Sequence, residues 1–253
     1  MPKNTHYLDD SILPVSITAE PIDPVVIFAE NTPDYIRKDF ISKVYTILWF
    51  QLLFTSSFIG ICNQVPVVAN FIKSSVGINL CYISFGVLFI LMICLMCNNN
   101  LIKQNPYNWI FTISFTILMT YIMGIVGVMY STKLLLLGGM STLGIFSGLT
   151  IYAWQTKYDY TTIGNYLLIS LIGLIMFGFL SFFIESAILN IFYSVIGSII
   201  FSFYIVYDTQ LIVGGTNRKI QLSINDFAIA SITLYLDVVN LFLFILDILG
   251  GNR

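Results

Sequence analysis

Charge is what this chain has least of. Of its 253 residues, 9% are charged and 57% are hydrophobic, with a mean hydropathy of +0.88. A soluble domain carries roughly a quarter of its residues as charge, so the composition excludes an ordinary water-soluble fold and reads as an integral membrane protein in a lipid bilayer. The net charge of −2 leaves no basic stripe, which excludes nucleic acid as a partner on electrostatic grounds. Histidine is almost absent: His6, in the N-terminal segment, is the only one. Serine–histidine and cysteine–histidine chemistry, like the usual zinc sites, needs an imidazole within the fold. The chain is therefore expected not to be an enzyme, and an intramembrane protease with a serine–histidine pair is excluded. Cys62, Cys81, Cys94 and Cys97 lie in or beside apolar runs, and the Cys94-x-x-Cys97 spacing has no second pair or nearby histidine to complete a metal site. They read as small buried hydrophobes, and no permanently bound cofactor is expected.

Proline is scarce beyond the start of the chain. Five of the seven prolines (Pro2, Pro14, Pro21, Pro24 and Pro33) fall within residues 1–40, which alternate short apolar stretches with acids and read as a disordered cytosolic tail. This segment lacks the basic start, apolar block and cleavage site of a signal peptide, so the first membrane helix is expected to direct insertion. From Phe40 onward, seven apolar runs reach the roughly 20 residues that span a ~30 Å hydrocarbon layer. They cover about 41–62, 76–97, 108–130, 134–154, 163–184, 187–213 and 227–249. The expected fold is all-α: a polytopic bundle of seven transmembrane helices over residues 41–250, followed by a short tail, 251–253. Gly214-Gly215 supplies a natural stop for the sixth run.

Lysine and arginine placement predicts orientation. A cytosolic N-terminus puts Lys3, Arg37, Lys38, Lys43, Lys103, Lys157, Arg218 and Lys219 in the cytosol and only Lys73, Lys133 and Arg253 opposite. The bias predicts an N-in, C-out topology. It also argues against a seven-helix ligand receptor, which places its N-terminus outside. On the fourth run, Gly144 and Gly148, with Gly138, Gly139 and Ser141 preceding them, form the small-xxx-small spacing that lets helices approach closely in lipid, which predicts a central packing role for that helix.

Two carboxylates stand where a lipid-facing helix tolerates none. Asp208 interrupts the sixth run and Asp237 the seventh. A charge near the bilayer centre costs about 2.5–3.5 kcal/mol on insertion scales, which makes each a functional-site candidate. Counted from the helix ends, they lie about 7.5 Å and 15 Å below the cytosolic surface at ~1.5 Å per residue, close enough to pair. Two carboxylates at one site cannot both ionise cheaply, so the pair is expected to hold a proton. Losing it favours a cation between them, and carboxylate oxygens are the hard ligands calcium prefers. The alternative is that each acid merely hydrogen-bonds a neighbouring helix, through Tyr207, Thr209, Tyr235 or Asn240. Glu185 and Asp247 fall at helix ends, where charge reaches interfacial water.

Five stretches carry a wider pattern: Phe40 to Leu53, Met129-Tyr-Ser-Thr-Lys133, Gln155 to Thr161, Tyr207-Asp-Thr-Gln-Leu-Ile-Val-Gly-Gly215, and Leu234-Tyr-Leu-Asp-Val-Val-Asn-Leu-Phe242. Through them the chain resembles the Bax inhibitor motif-containing transmembrane family, lifeguard branch, over about residues 36–250. The resemblance implies a calcium leak channel, or a channel-like regulator of calcium stores, in endoplasmic reticulum or Golgi membranes. It implies an anti-apoptotic effect, with calcium as the permeant ion and Asp208 and Asp237 as a pH-sensing pair that gates and transiently binds it. Some members close the pore with a basic residue on the second helix. Residues 76–97 contain no Lys or Arg, which leaves Lys103 in the following loop as the candidate latch. The competing reading is a non-conducting scaffold that restrains death-signalling membrane proteins or receptors.

Overall fold

The computed structural model describes residues 34–97, 103–184, 186–215 and 218–250. Residues 1–33, most of the expected tail, lie outside it, as do Glu185 and residues 251–253. The chain forms α1 (Asp34–Gln64), α2 (Pro66–Lys73), α3 (Ser75–Cys97), α4 (Tyr107–Met129), α5 (Thr132–Gln155), α6 (Gly164–Phe183), α7 (Ala187–Val213) and α8 (Phe227–Gly250). No strand occurs among the described residues. Every helix except α2 is long and apolar enough to cross a membrane, giving the seven spans expected from the sequence.

Two elements differ from that expectation. α1 starts at Asp34 rather than near residue 41, and its extra turns are used to dock Arg37 on the far end of α7. The segment between the first two spans is helical as well. Pro66 opens α2 at the position where its missing N–H costs nothing, and Ile72 is buried beneath it.

α8 is the hub of the bundle. In its membrane-spanning stretch 61% of the residues are buried, against 11% in α5 and in the α6 region. It packs against α1, α4, α5 and α7, while α6 leans on α7 and α3 on α4. Lipid and core are both apolar here, so large hydrophobics such as Trp49, Phe85, Phe89 and Ile169 face outward. Buried polar side chains mark the inside instead. Gln51 donates to Thr116 at 2.9 Å, and the Thr55 hydroxyl lies 2.8 Å from both the Thr120 and Tyr235 hydroxyls, stitching α1, α4 and α8 together. Such bonds between membrane helices contribute about 0.6 kcal/mol each.

The close helix approaches are not at Gly144 and Gly148. Both are exposed, and a β-carbon on either meets nothing within 4 Å, so they do not pack α5 into the bundle. The tight contacts use Gly138, which precedes that pair on the same helix, and Gly127 of α4. A β-carbon at Gly127 of α4 would lie 2.7 Å from the Ile59 carbonyl oxygen of α1, and one at Gly138 of α5 would lie 2.7 Å from Leu246 of α8. Gly127→Ala is therefore expected to destabilise the protein by about 1–3 kcal/mol through forced separation of α1 and α4. Gly144→Ala is expected to be neutral or stabilising by up to about 1 kcal/mol through helix propensity. Denaturant titration of the two variants checks this, and the reverse order contradicts the packing described.

One end of the bundle collects the positive charge. Arg37, Lys103, Lys157, Arg218 and Lys219 meet there because the loops after α3, α5 and α7 converge with the start of α1. This basic end contains the described lysines and arginines that the sequence assigns to the cytosolic side, with Lys38 and Lys43 in the first turns of α1.

Candidate functional site

α7 ends as its sequence requires. Gly214 and Gly215 adopt φ of +63° and +111°, a region that disfavours side-chain-bearing residues, and the chain turns back so that the Leu222 amide donates to the Leu211 carbonyl at 3.1 Å. The loop then enters a 3₁₀ turn, Ile224–Asp226, closed by a reciprocal cap between Ser223 and Asp226. Asp208 stands five residues before Val213 and Asp237 ten residues after Phe227. Their pairing means that α8 begins about 7.5 Å further toward the basic end than α7 finishes.

The two acids do meet. Asp208 is 7% exposed and Asp237 5%, and their carboxyl groups approach each other between α7 and α8. Neither has a cationic partner among the described residues. The Thr233 hydroxyl, which donates to the Ala230 carbonyl at 3.3 Å, lies near Asp208, while Asp237 Oδ2 is buried with no donor among the described groups. Tyr204, one turn before Asp208, lies within electrostatic range of both acids. Buried acceptors that lack donors are expensive, so a proton held between the carboxyls is the arrangement this geometry accommodates.

The hydrogen-bond partners expected from sequence are engaged elsewhere. The Tyr207 hydroxyl lies against Gly164 of α6. Thr209 accepts from the Tyr45 hydroxyl at 3.5 Å, Tyr235 pairs with Thr55, and Asn240 donates to the Leu236 carbonyl at 2.8 Å. Thr233 takes their place, and helical spacing signals it: it precedes Asp237 by four residues and so shares that face of α8. Lys103 is not a latch on Asp208. Its ammonium pairs with Asp226 at 2.9 Å, because the loop after α3 lies over the start of α8 rather than over the dyad. Asp247, at the opposite end, accepts a hydrogen bond from Ser194 of α7.

A collar of polar contacts, missed by the sequence reading, fixes the last turns of α7 beside Asp208. The Arg37 guanidinium donates to the carbonyls of Val213 at 2.9 Å, Leu222 at 2.7 Å and Leu211 at 2.8 Å. These include helix-terminal acceptors that have no partner within α7. Gln210 is fully buried; its carbonyl oxygen accepts from the Tyr160 amide at 2.7 Å and its amide donates to the Tyr158 carbonyl at 3.0 Å. Arg218 caps the end of α5 in the same manner through the Thr156 carbonyl at 2.8 Å.

Asp159 anchors the α5–α6 loop, accepting from the Thr161 amide and hydroxyl and from the Lys219 amide. Partial burial opposes its ionisation, but those hydrogen bonds and nearby Arg218 prevail and hold the carboxyl below its ordinary value. A carboxyl lowered in the folded state stabilises the fold fully above its unfolded pKa of about 4 and loses that contribution as pH falls through the folded value. Asp159→Asn is thus expected to cost stability at pH 7 and to weaken the decline in stability below pH 4. Parallel thermal melts of the variant and the parent between pH 3 and 7 test this; identical pH profiles contradict it.

Residues 37–253 match the family described as inhibitor of apoptosis-promoting Bax1. The chain is 31% identical over 222 residues to protein lifeguard 3 of Homo sapiens, covering 86% of this chain and 70% of that protein. It is 29% identical over 221 residues to the Mus musculus protein of the same name, with coverage of 86% and 70%. It is 33% identical over 222 residues to Bax inhibitor 1 of Schizosaccharomyces pombe, covering 85% of this chain and 77% of that one. The match takes in every described membrane helix, the dyad and the collar around it, and on that extent this chain belongs to the Bax inhibitor-1 family.

Proposed function

We propose that the protein is a pH-sensitive calcium leak channel, or channel-like regulator, of an intracellular store membrane, with an anti-apoptotic effect. The observation that carries this reading is the contact between Asp208 and Asp237, two buried carboxyls with no cationic partner among the described residues. With a proton between them the pair is compact and α7 and α8 stay together. Without it, two negative charges about 4 Å apart repel by about 4 kcal/mol at an effective dielectric of 20, which favours separation and entry of a hydrated cation.

Calcium fits as cargo rather than as a resident ion. It takes six to eight oxygens, and the dyad with Thr233 supplies fewer, so water would complete the shell and binding would be transient. The relatives' names, lifeguard and Bax inhibitor, support the anti-apoptotic part of the reading, and the basic end supports an N-terminus in the cytosol with the C-terminus opposite. Endoplasmic reticulum or Golgi is the proposed location, and no chemical catalysis is proposed.

The reading is tested with purified protein in liposomes that enclose a calcium indicator. Wild-type protein should admit calcium faster than protein-free vesicles, and Asp208→Asn or Asp237→Asn should change the rate. Wild-type flux equal to that of empty vesicles removes the channel and leaves the scaffold reading.

A further inference from the structure

At the basic end, α1 and α5 splay apart and leave a groove of about 750 Å³. Its walls include Ile41 and Tyr45 of α1 and Ile151 and Trp154 of α5, with Val213 of α7 at its floor and Lys38 at its rim. Tyr45 and Trp154 meet edge to face, with centroids 6.4 Å apart. Lys38 is exposed, and the ion pair formed among the described residues is that of Lys103 with Asp226. Lys157 follows two residues after Gln155, another lining residue, and is exposed as well. The acids beside them, Asp39 and Asp159, form no ion pair with either lysine, and Asp159 is turned toward the Thr161 amide and hydroxyl and the Lys219 amide. The groove therefore combines an apolar trough, an aromatic pair of the kind that settles at a membrane interface, and one lining lysine, Lys38, with Lys157 two residues beyond its lining.

We propose that this groove is a binding site for one anionic phospholipid, with an acyl chain between α1 and α5 and the phosphate held by Lys38 and Lys157. Charge complementarity selects the occupant. A zwitterionic lipid fills the trough equally well but brings no net negative charge to the rim, whereas each lysine near an anionic headgroup contributes about a fivefold preference. The bound lipid would touch Val213 and Tyr45, whose hydroxyl reaches Thr209 beside Asp208. Binding itself does not depend on the channel reading.

Trp154 reports on the site directly. In a Trp49→Phe, Trp109→Phe background it is the only tryptophan, so its fluorescence can be quenched by phospholipids with brominated acyl chains. Brominated phosphatidylserine at low mole fraction should quench it several-fold more effectively than brominated phosphatidylcholine. Lys38→Gln should reduce that selectivity about fivefold, while Lys38→Arg preserves it. Lys219→Gln, which removes a charge from the same end at a residue that does not line the groove, should leave it unchanged. Equal quenching by the two lipids overturns the proposal, and so does selectivity that survives Lys38→Gln or falls equally with Lys219→Gln. The same vesicles carry calcium indicator, so a channel that fails while selectivity holds is separated from a groove that fails while flux holds.

Discussion

Replacing Arg37 with alanine is expected to lower the apparent thermal midpoint of the purified protein by on the order of 10 °C. The side chain donates three hydrogen bonds to main-chain carbonyls at the end of α7 and in the loop beyond it. Hydrogen bonds from a charged donor contribute about 1.5–3 kcal/mol each, and acceptors left buried without a donor add their own penalty. Full additivity is not expected, since water reaches this end of the bundle, so a total near 3 kcal/mol is the reasonable scale. Arg37→Lys should recover only part of the loss, because an ammonium cannot span three carbonyls as the planar guanidinium does. Thermal melts in detergent measure both variants. A midpoint within 2 °C or so of the parent for Arg37→Ala means that the collar does not hold α7. On the channel reading the same variant should also raise calcium flux, because the turns it secures carry Asp208.

The second large effect concerns the dyad. If the folded protein keeps a proton between Asp208 and Asp237 that the unfolded chain releases, its stability must fall as pH rises, since the folded state binds more protons. The Asp208→Asn, Asp237→Asn double variant keeps the shape of both side chains and removes the titration. Its thermal midpoint should be flat between pH 6 and 8 where that of the parent declines, and at pH 8 it should be the more stable by up to about 4 kcal/mol, the repulsion between two charges in contact. Parallel slopes in the two proteins contradict a shared proton.

The long apolar runs made the spans legible in the sequence, and the Gly214-Gly215 stop located the end of α7 correctly. The two aspartates were legible because charge inside an apolar run is so costly. Packing was much less so. In lipid the inner and outer faces of a helix are both apolar, so helical periodicity does not tell them apart, and the Gly144 and Gly148 spacing suggested a contact that the fold makes through Gly127 and Gly138. Arg37 was read only as a charge for topology, since its partners lie more than 170 residues away. Gln210 was visible within the Asp208 run, yet its partners are loop backbone groups that no spacing rule identifies. Thr233 was within reach, one turn from Asp237. Tyr207 and Tyr235 are no further away along the chain but point to other helices, and Asn240 bonds back to the backbone of α8 itself.

On the proposed function, loss of a proton from the Asp208–Asp237 pair opens a path for calcium. It is tested most directly by calcium influx into liposomes at external pH 6 and pH 8, with wild-type protein and the Asp208→Asn, Asp237→Asn double variant reconstituted at equal density. Wild-type influx should differ between the two pH values and be larger at pH 8, with influx through the double variant the same at both. A double variant whose influx keeps the wild-type dependence on pH contradicts it.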